Sequence, residues 1–135
     1  MGRIAALLAL ALATSGPVVD GAATKKPRLS VRVSPRVAFS PTQVFAIAEL
    51  VGGDDSEEFY CPGLEWDWND GARSAHEADC TPFEPGMKLD RLFTARHDYV
   101  APGEYDVRVT VRRASRSVAA ATARVTVRSS SGAGY

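Results

Sequence analysis

Two short segments constrain this chain more than anything else in it. Trp66-Asp67-Trp68-Asn69-Asp70-Gly71 ends an apolar stretch in a tight turn. His97-Asp98-Tyr99-Val100-Ala101-Pro102-Gly103-Glu104-Tyr105-Asp106-Val107 enters a new stretch through Pro-Gly and then alternates apolar with polar residues. The alternation continues: Tyr105, Val107, Val109 and Val111 share one face, and Glu104, Asp106, Arg108, Thr110 and Arg112 the other. That is the period of a strand buried on one side. After a short Arg/Ser turn, Ala119, Ala121, Ala123, Val125 and Val127 repeat it against Arg124, Thr126 and Arg128. The two runs predict an antiparallel hairpin, and with their apolar faces in register Asp106 sits opposite Arg124.

The rest of the chain reads as further short strands. Leu29, Val31 and Val33 alternate with polar residues until Pro35 breaks the run. Val44 to Val51 is more continuously apolar, which predicts a central strand ending at Gly52-Gly53. Leu64 to Trp68 is a third, stopped by Asn69-Asp70-Gly71. Residues 72–87 are polar, carry Pro82, Pro85 and Gly86, and read as a loop pinned by Cys80; Leu89 to Arg96 is a strand with Leu92 and Phe93. No segment holds a 3.6-residue apolar stripe with caps, and there is no internal repeat. The expected class is all-β.

The two signature segments together resemble those of the polycystic kidney disease (PKD) domain. Its first segment typically reads W-D-F-G-D-G and its second H-x-Y-x-x-P-G-x-Y-x-V. The resemblance spans Leu29 to Val127 and implies an immunoglobulin-like antiparallel β-sandwich of about seven strands. Trp66 then fills the space between sheets about 10 Å apart, with Trp68 on the same face nearer the rim and Asp67 turned away. Asp70 and Gly71 close the turn. His97 takes a structural hydrogen bond at a strand end, next to Tyr99. Tyr105, entered through Pro102-Gly103, takes the place of a tyrosine corner, its hydroxyl on nearby backbone. Asn69 stands where the family has Gly, and the long loop between the segments carries a cysteine. The resemblance implies protein–protein or protein–carbohydrate contact, or a spacing role, with no chemistry and no cofactor.

Arg3 followed by the apolar run Ile4 to Ala13 and small residues ending in Gly21-Ala22-Ala23 has the layout of a secretory signal peptide. Ten apolar residues are too few to span a bilayer. The expected organisation is a signal peptide at 1–23, one sandwich domain at 24–128 and a flexible Ser/Gly-rich tail at 129–135, with the product secreted or periplasmic. Cys61 and Cys80 are the only cysteines, and in an exported chain such a pair reads as a disulfide. A Cys2His2 zinc site with His76 and His97 is the rival, but the spacing fits no zinc-finger template.

Candidate sites follow from what these strands leave outside. Trp66 and Trp68 belong to the core or, alternatively, stack on sugar rings; Trp68 and Tyr60 are the aromatic contact candidates. Asp54, Asp55, Glu57 and Glu58 form an acidic loop, solvated or binding calcium, although the spacing matches no calcium loop. Arg108, Arg112, Arg124 and Arg128, with Arg113 and Arg116, concentrate on the last hairpin. That stripe suits an acidic polysaccharide, lipid headgroups, an acidic protein patch, or the acidic loop of a second copy head-to-tail; it also suits a solvated face guarding a sheet edge. Positive and negative residues balance at 16 each, which argues against a nucleic-acid partner. No nucleophile–base signature is present, and the expectation is a non-enzyme with an unidentified protein or polysaccharide partner.

Overall fold

The computed structural model describes Gly16 and residues 25–130. The expected signal peptide therefore lies, Gly16 apart, outside the described residues, as does 131–135 of the tail. Eight strands follow in chain order: β1 (Arg28–Ser34), β2 (Val37–Phe39), β3 (Thr42–Val51), β4 (Gly63–Asp67), β5 (Arg73–His76), β6 (Leu92–Tyr99), β7 (Gly103–Arg113) and β8 (Arg116–Arg128). They build two sheets, one ordered β1-β3-β6 and one ordered β2-β8-β7-β4-β5. The all-β sandwich is as expected, with one strand more than the immunoglobulin count. Among the described residues no helix is long and apolar enough to cross a membrane.

The β7–β8 hairpin forms as the alternation dictates. Val107, Val109, Val111 and Val125 are fully buried, and Asp106 pairs with Arg124 across the ladder. A register shift after Val111 lets the chain reach the tight turn at Ala114-Ser115. Facing this sheet are Val44, Ala46, Ala48 and Leu50 of β3, with Trp66 and Trp68 filling the space between.

Three expectations need correction. The pairing is not wholly antiparallel, because β2 runs parallel to β8. Pro35 does end β1, but the chain then crosses to the other sheet, and backbone bonds from Thr126 to Arg36 and from Ser40 to Arg128, both 2.8 Å, bracket the three-residue strand. β3 is central in its sheet, as its apolar run predicts, and its outer face is open, with Phe45 47% exposed. Residues 72–87 are not all loop, since the tight turn sends Arg73–His76 back along β4 as an edge strand. Finally, β6 begins later than Leu89, which is buried but lies outside the strand.

Candidate functional site

The two signature segments meet inside the sandwich. Trp66 and Trp68 stack at 5.6 Å, and Trp68 stacks on His97 at 4.7 Å. His97 meets Tyr99 edge-on at 4.8 Å, and Tyr99 stacks on Tyr105 at 4.2 Å. Polar atoms of this column are satisfied locally. The Tyr99 hydroxyl donates to the Trp68 carbonyl at 2.8 Å, the Tyr105 hydroxyl to the Ala101 carbonyl at 2.6 Å, and Trp68 Nε1 to Ser74 Oγ at 2.9 Å. The Tyr105 bond is the expected tyrosine corner. Gly103 makes room for it, because a Cβ there would lie 3.2 Å from Cζ of Tyr105. Asn69 replaces the family's Gly at a φ of 64°, a left-handed conformation that Asn tolerates.

Asp70 ties the turn to β6. Its Oδ2 lies 2.6 Å from His97 Nε2, and its Oδ1 accepts from the Ala72 N–H at 3.0 Å. Burial pushes its carboxyl up, but the bonds from His97 and Ala72 outweigh that, and it lies below the ordinary carboxylate value of 3.8. A carboxylate depressed on folding adds stability above its unfolded pKa and loses it as pH falls through the lowered native value. Acid unfolding of the wild type should therefore show a component below about pH 3.8 that Asp70→Asn lacks. Identical acid limbs in the two proteins would disprove that role.

Both tryptophans are thus core residues. Trp68, named for surface contact, is fully buried, more so than Trp66, because its ring is sandwiched between Trp66 and His97. A ring buried to this degree has no face open to a ligand.

The arginine stripe is real but largely compensated. Arg112 Nε donates to Glu65 at 2.8 Å, and Arg124 Nε to Asp106 at 3.1 Å. Arg73 of β5 bridges Glu65 and Asp67 at 3.1 and 3.4 Å. Arg113 donates to the carbonyls of Glu57 and Tyr60. Among the described residues Arg108 and Arg128 enter no ion pair. The outer face of the five-stranded sheet is therefore a mixed-charge lattice, which weakens the case for an anionic partner there.

The acidic loop does not gather its oxygens. Glu57 to Phe59 form a 3₁₀ turn anchored by buried Phe59. Asp54 accepts from the Lys25 N–H, and Asp55 pairs with Arg91 at 3.0 Å. Glu57 lies 3.7 Å from Arg113, and Glu58 pairs with Lys26 and Arg116 at 3.2 and 3.8 Å. Backbone and side-chain bonds hold the Asp55 carboxyl below its usual range. Among the described residues no group of three or more His, Cys, Asp or Glu side chains is placed to hold a metal ion, and the four acidic side chains of this loop turn to separate partners. Through Glu57–Arg113 and Glu58–Arg116 the acidic loop meets the arginine tip within one chain.

A different site emerges under the disulfide. Cys61 and Cys80 are bonded, with Cα atoms 6.0 Å apart, which removes the zinc alternative. The bridge holds the 77–83 segment beside the end of the five-stranded sheet, and between them lies an open cleft of about 570 Å³. Tyr60 and Phe83 meet at 5.2 Å on one wall, and the Tyr60 hydroxyl donates to the Thr81 carbonyl at 2.5 Å. The Glu65–Arg112 pair and His76 also line it. Tyr60, a contact candidate from the sequence, lines this cleft. Phe83 was missed, and His76 was weighed only as a zinc ligand; the one available signal was a lone aromatic, Phe83, in an otherwise polar segment beside Cys80.

No protein-family model and no curated protein matches the chain. Among solved structures, the PKD domain of an M14-like peptidase from a Thermoplasmatales archaeon is similar over 78% of this chain and 99% of that domain, with a TM-score of 0.54 and 17% identity. The CARDB domain of a Pyrococcus furiosus protein, solved in complex with di-metal ions, aligns over 78% of this chain and 96% of that domain, at a TM-score of 0.46 and 14% identity. Its solution structure aligns over 77% and 97%, at 0.47 and 15%. Identities this low speak for fold alone. The resemblance first carried by two short segments holds for the whole described domain: this chain folds as a PKD-like, immunoglobulin-like β-sandwich.

Proposed function

We propose that the protein is an exported, non-catalytic binding module that contacts a protein or polysaccharide partner at or outside the cell envelope through the cleft beneath Cys61–Cys80. The observation that carries this reading is the cleft itself. The core closes without residues 77–83, yet a disulfide pins them so that Tyr60 and Phe83 line a recess beside a charged wall. Recesses with aromatic walls and a few placed polar groups are what ligands select. A disulfide is at home in an oxidising compartment, and the leader read at 1–23 supplies the route there.

Retention on isolated envelope fractions tests the reading. Because Glu65 and Arg112 already satisfy each other, binding should persist through a salt series and with chelator present. Tyr60→Ala and Phe83→Ala should each weaken it by about tenfold or more, as truncated aromatic anchors do. Retention unaffected by both substitutions would remove the cleft from the account, and no retention by the wild type would favour a spacer role.

A further inference from the structure

The sandwich protects its sheet edges unequally. On one side, β1 lies against β8 and β2 crosses between the sheets, so that flank is closed. β2 is three residues long between Pro35 and Pro41. β5 is four residues long and carries Arg73. Short edges, prolines and charges are the usual means of blocking further pairing. β6 has none of the first two: it is eight residues long, lacks Pro and Gly, and pairs with β3 without a register shift.

The ladder phase fixes which backbone groups of β6 are left over. Leu50 N–H bonds to the Arg91 carbonyl, and continuing that register makes Phe93, Ala95, His97 and Tyr99 the residues bonded to β3. Leu92, Thr94, Arg96 and Asp98 turn their N–H and C=O groups away from it. Among the described residues no strand pairs with this edge; beside it lies an opening of about 250 Å³, lined by Leu64, Trp66, His76, Leu92, Phe93 and Thr94. Leu92 is 60% exposed. Neither Arg96 nor Asp98 enters an ion pair within the described chain.

We propose that β6 pairs antiparallel with β6 of a second copy, about a two-fold axis at His97, joining two three-stranded sheets into one. A strand edge that pairs with itself must match left-over residues with left-over residues. With the axis at His97, Arg96 lies opposite Asp98 of the other copy, twice by symmetry. An axis at Arg96 sets arginine against arginine, and axes at Thr94 or Ala95 leave both charges without an opposite. Opposite charges directly across a ladder stabilise it and like charges destabilise it, so charge selects the His97 register. The pairing uses the three-stranded sheet, while the cleft belongs to the end of the five-stranded sheet. A dimer thus carries two clefts, and would bind a repetitive polymer with avidity.

Sedimentation of the oxidised chain over a concentration series tests this independently of the cleft. The wild type should sediment as a dimer. Arg96→Asp and Asp98→Arg should each raise the dimer dissociation constant by about tenfold or more, with melting of the fold unchanged, since neither side chain has an ion-pair partner to lose. The double variant Arg96→Asp/Asp98→Arg should restore the dimer. A wild type that stays monomeric at every concentration would overturn the proposal, as would a dimer indifferent to both single reversals.

Discussion

Trp68→Ala is expected to cost the domain about 3–5 kcal/mol, the range for truncating a buried large aromatic. The side chain is fully buried, its ring is held on both faces by Trp66 and His97, and its Nε1 donates to Ser74. Removing it leaves a void at the junction of β4, β5 and β6 and orphans the Ser74 bond that fastens the short edge strand. Domains of this size are stable by about 5–15 kcal/mol in all, so the variant should sit at the margin of folding. Urea unfolding of the oxidised protein measures it. A loss under about 1 kcal/mol would place the core elsewhere.

Opening the bridge by Cys61→Ser/Cys80→Ser has the second large effect. The bond closes a loop with a separation of 19 residues, for which loop-closure entropy predicts about 3 kcal/mol. The bridge also anchors residues 77–83 beside the sheet end, where Phe83 packs on Tyr60 and Thr81 accepts from the Tyr60 hydroxyl. The variant should therefore fold, melt lower, and lose envelope retention by more than its stability loss explains. Retention equal to the wild type at a temperature where both are folded would mean that the cleft wall is not what binds.

The hairpin was readable because eleven- and thirteen-residue strands repeat the two-residue period often enough to fix face and register. The disulfide was readable because only two cysteines exist. β2 and β5 were not, for a physical reason: three and four residues cannot display a period, and every residue of β5 is exposed. Its pairing is imposed by the Asn69-Asp70-Gly71 turn and the Trp68–Ser74 bond rather than by burial. The arginines were visible as a stripe, but their neutralisation was not. Arg112 and Glu65 are 47 residues apart in sequence, so no local pattern joins them. The same holds for the cleft, whose Tyr60 and Phe83 walls meet only after Cys61 and Cys80 do.

Amide hydrogen exchange of the oxidised protein, free and bound to the envelope fraction, puts the cleft to the most direct test. Binding there should protect Tyr60, Cys61 and residues 76–83 while leaving the exchange of the hairpin's outer edge unchanged. Protection confined to the β7–β8 hairpin around Arg108 and Arg124, with the segment beneath the disulfide untouched, would contradict it.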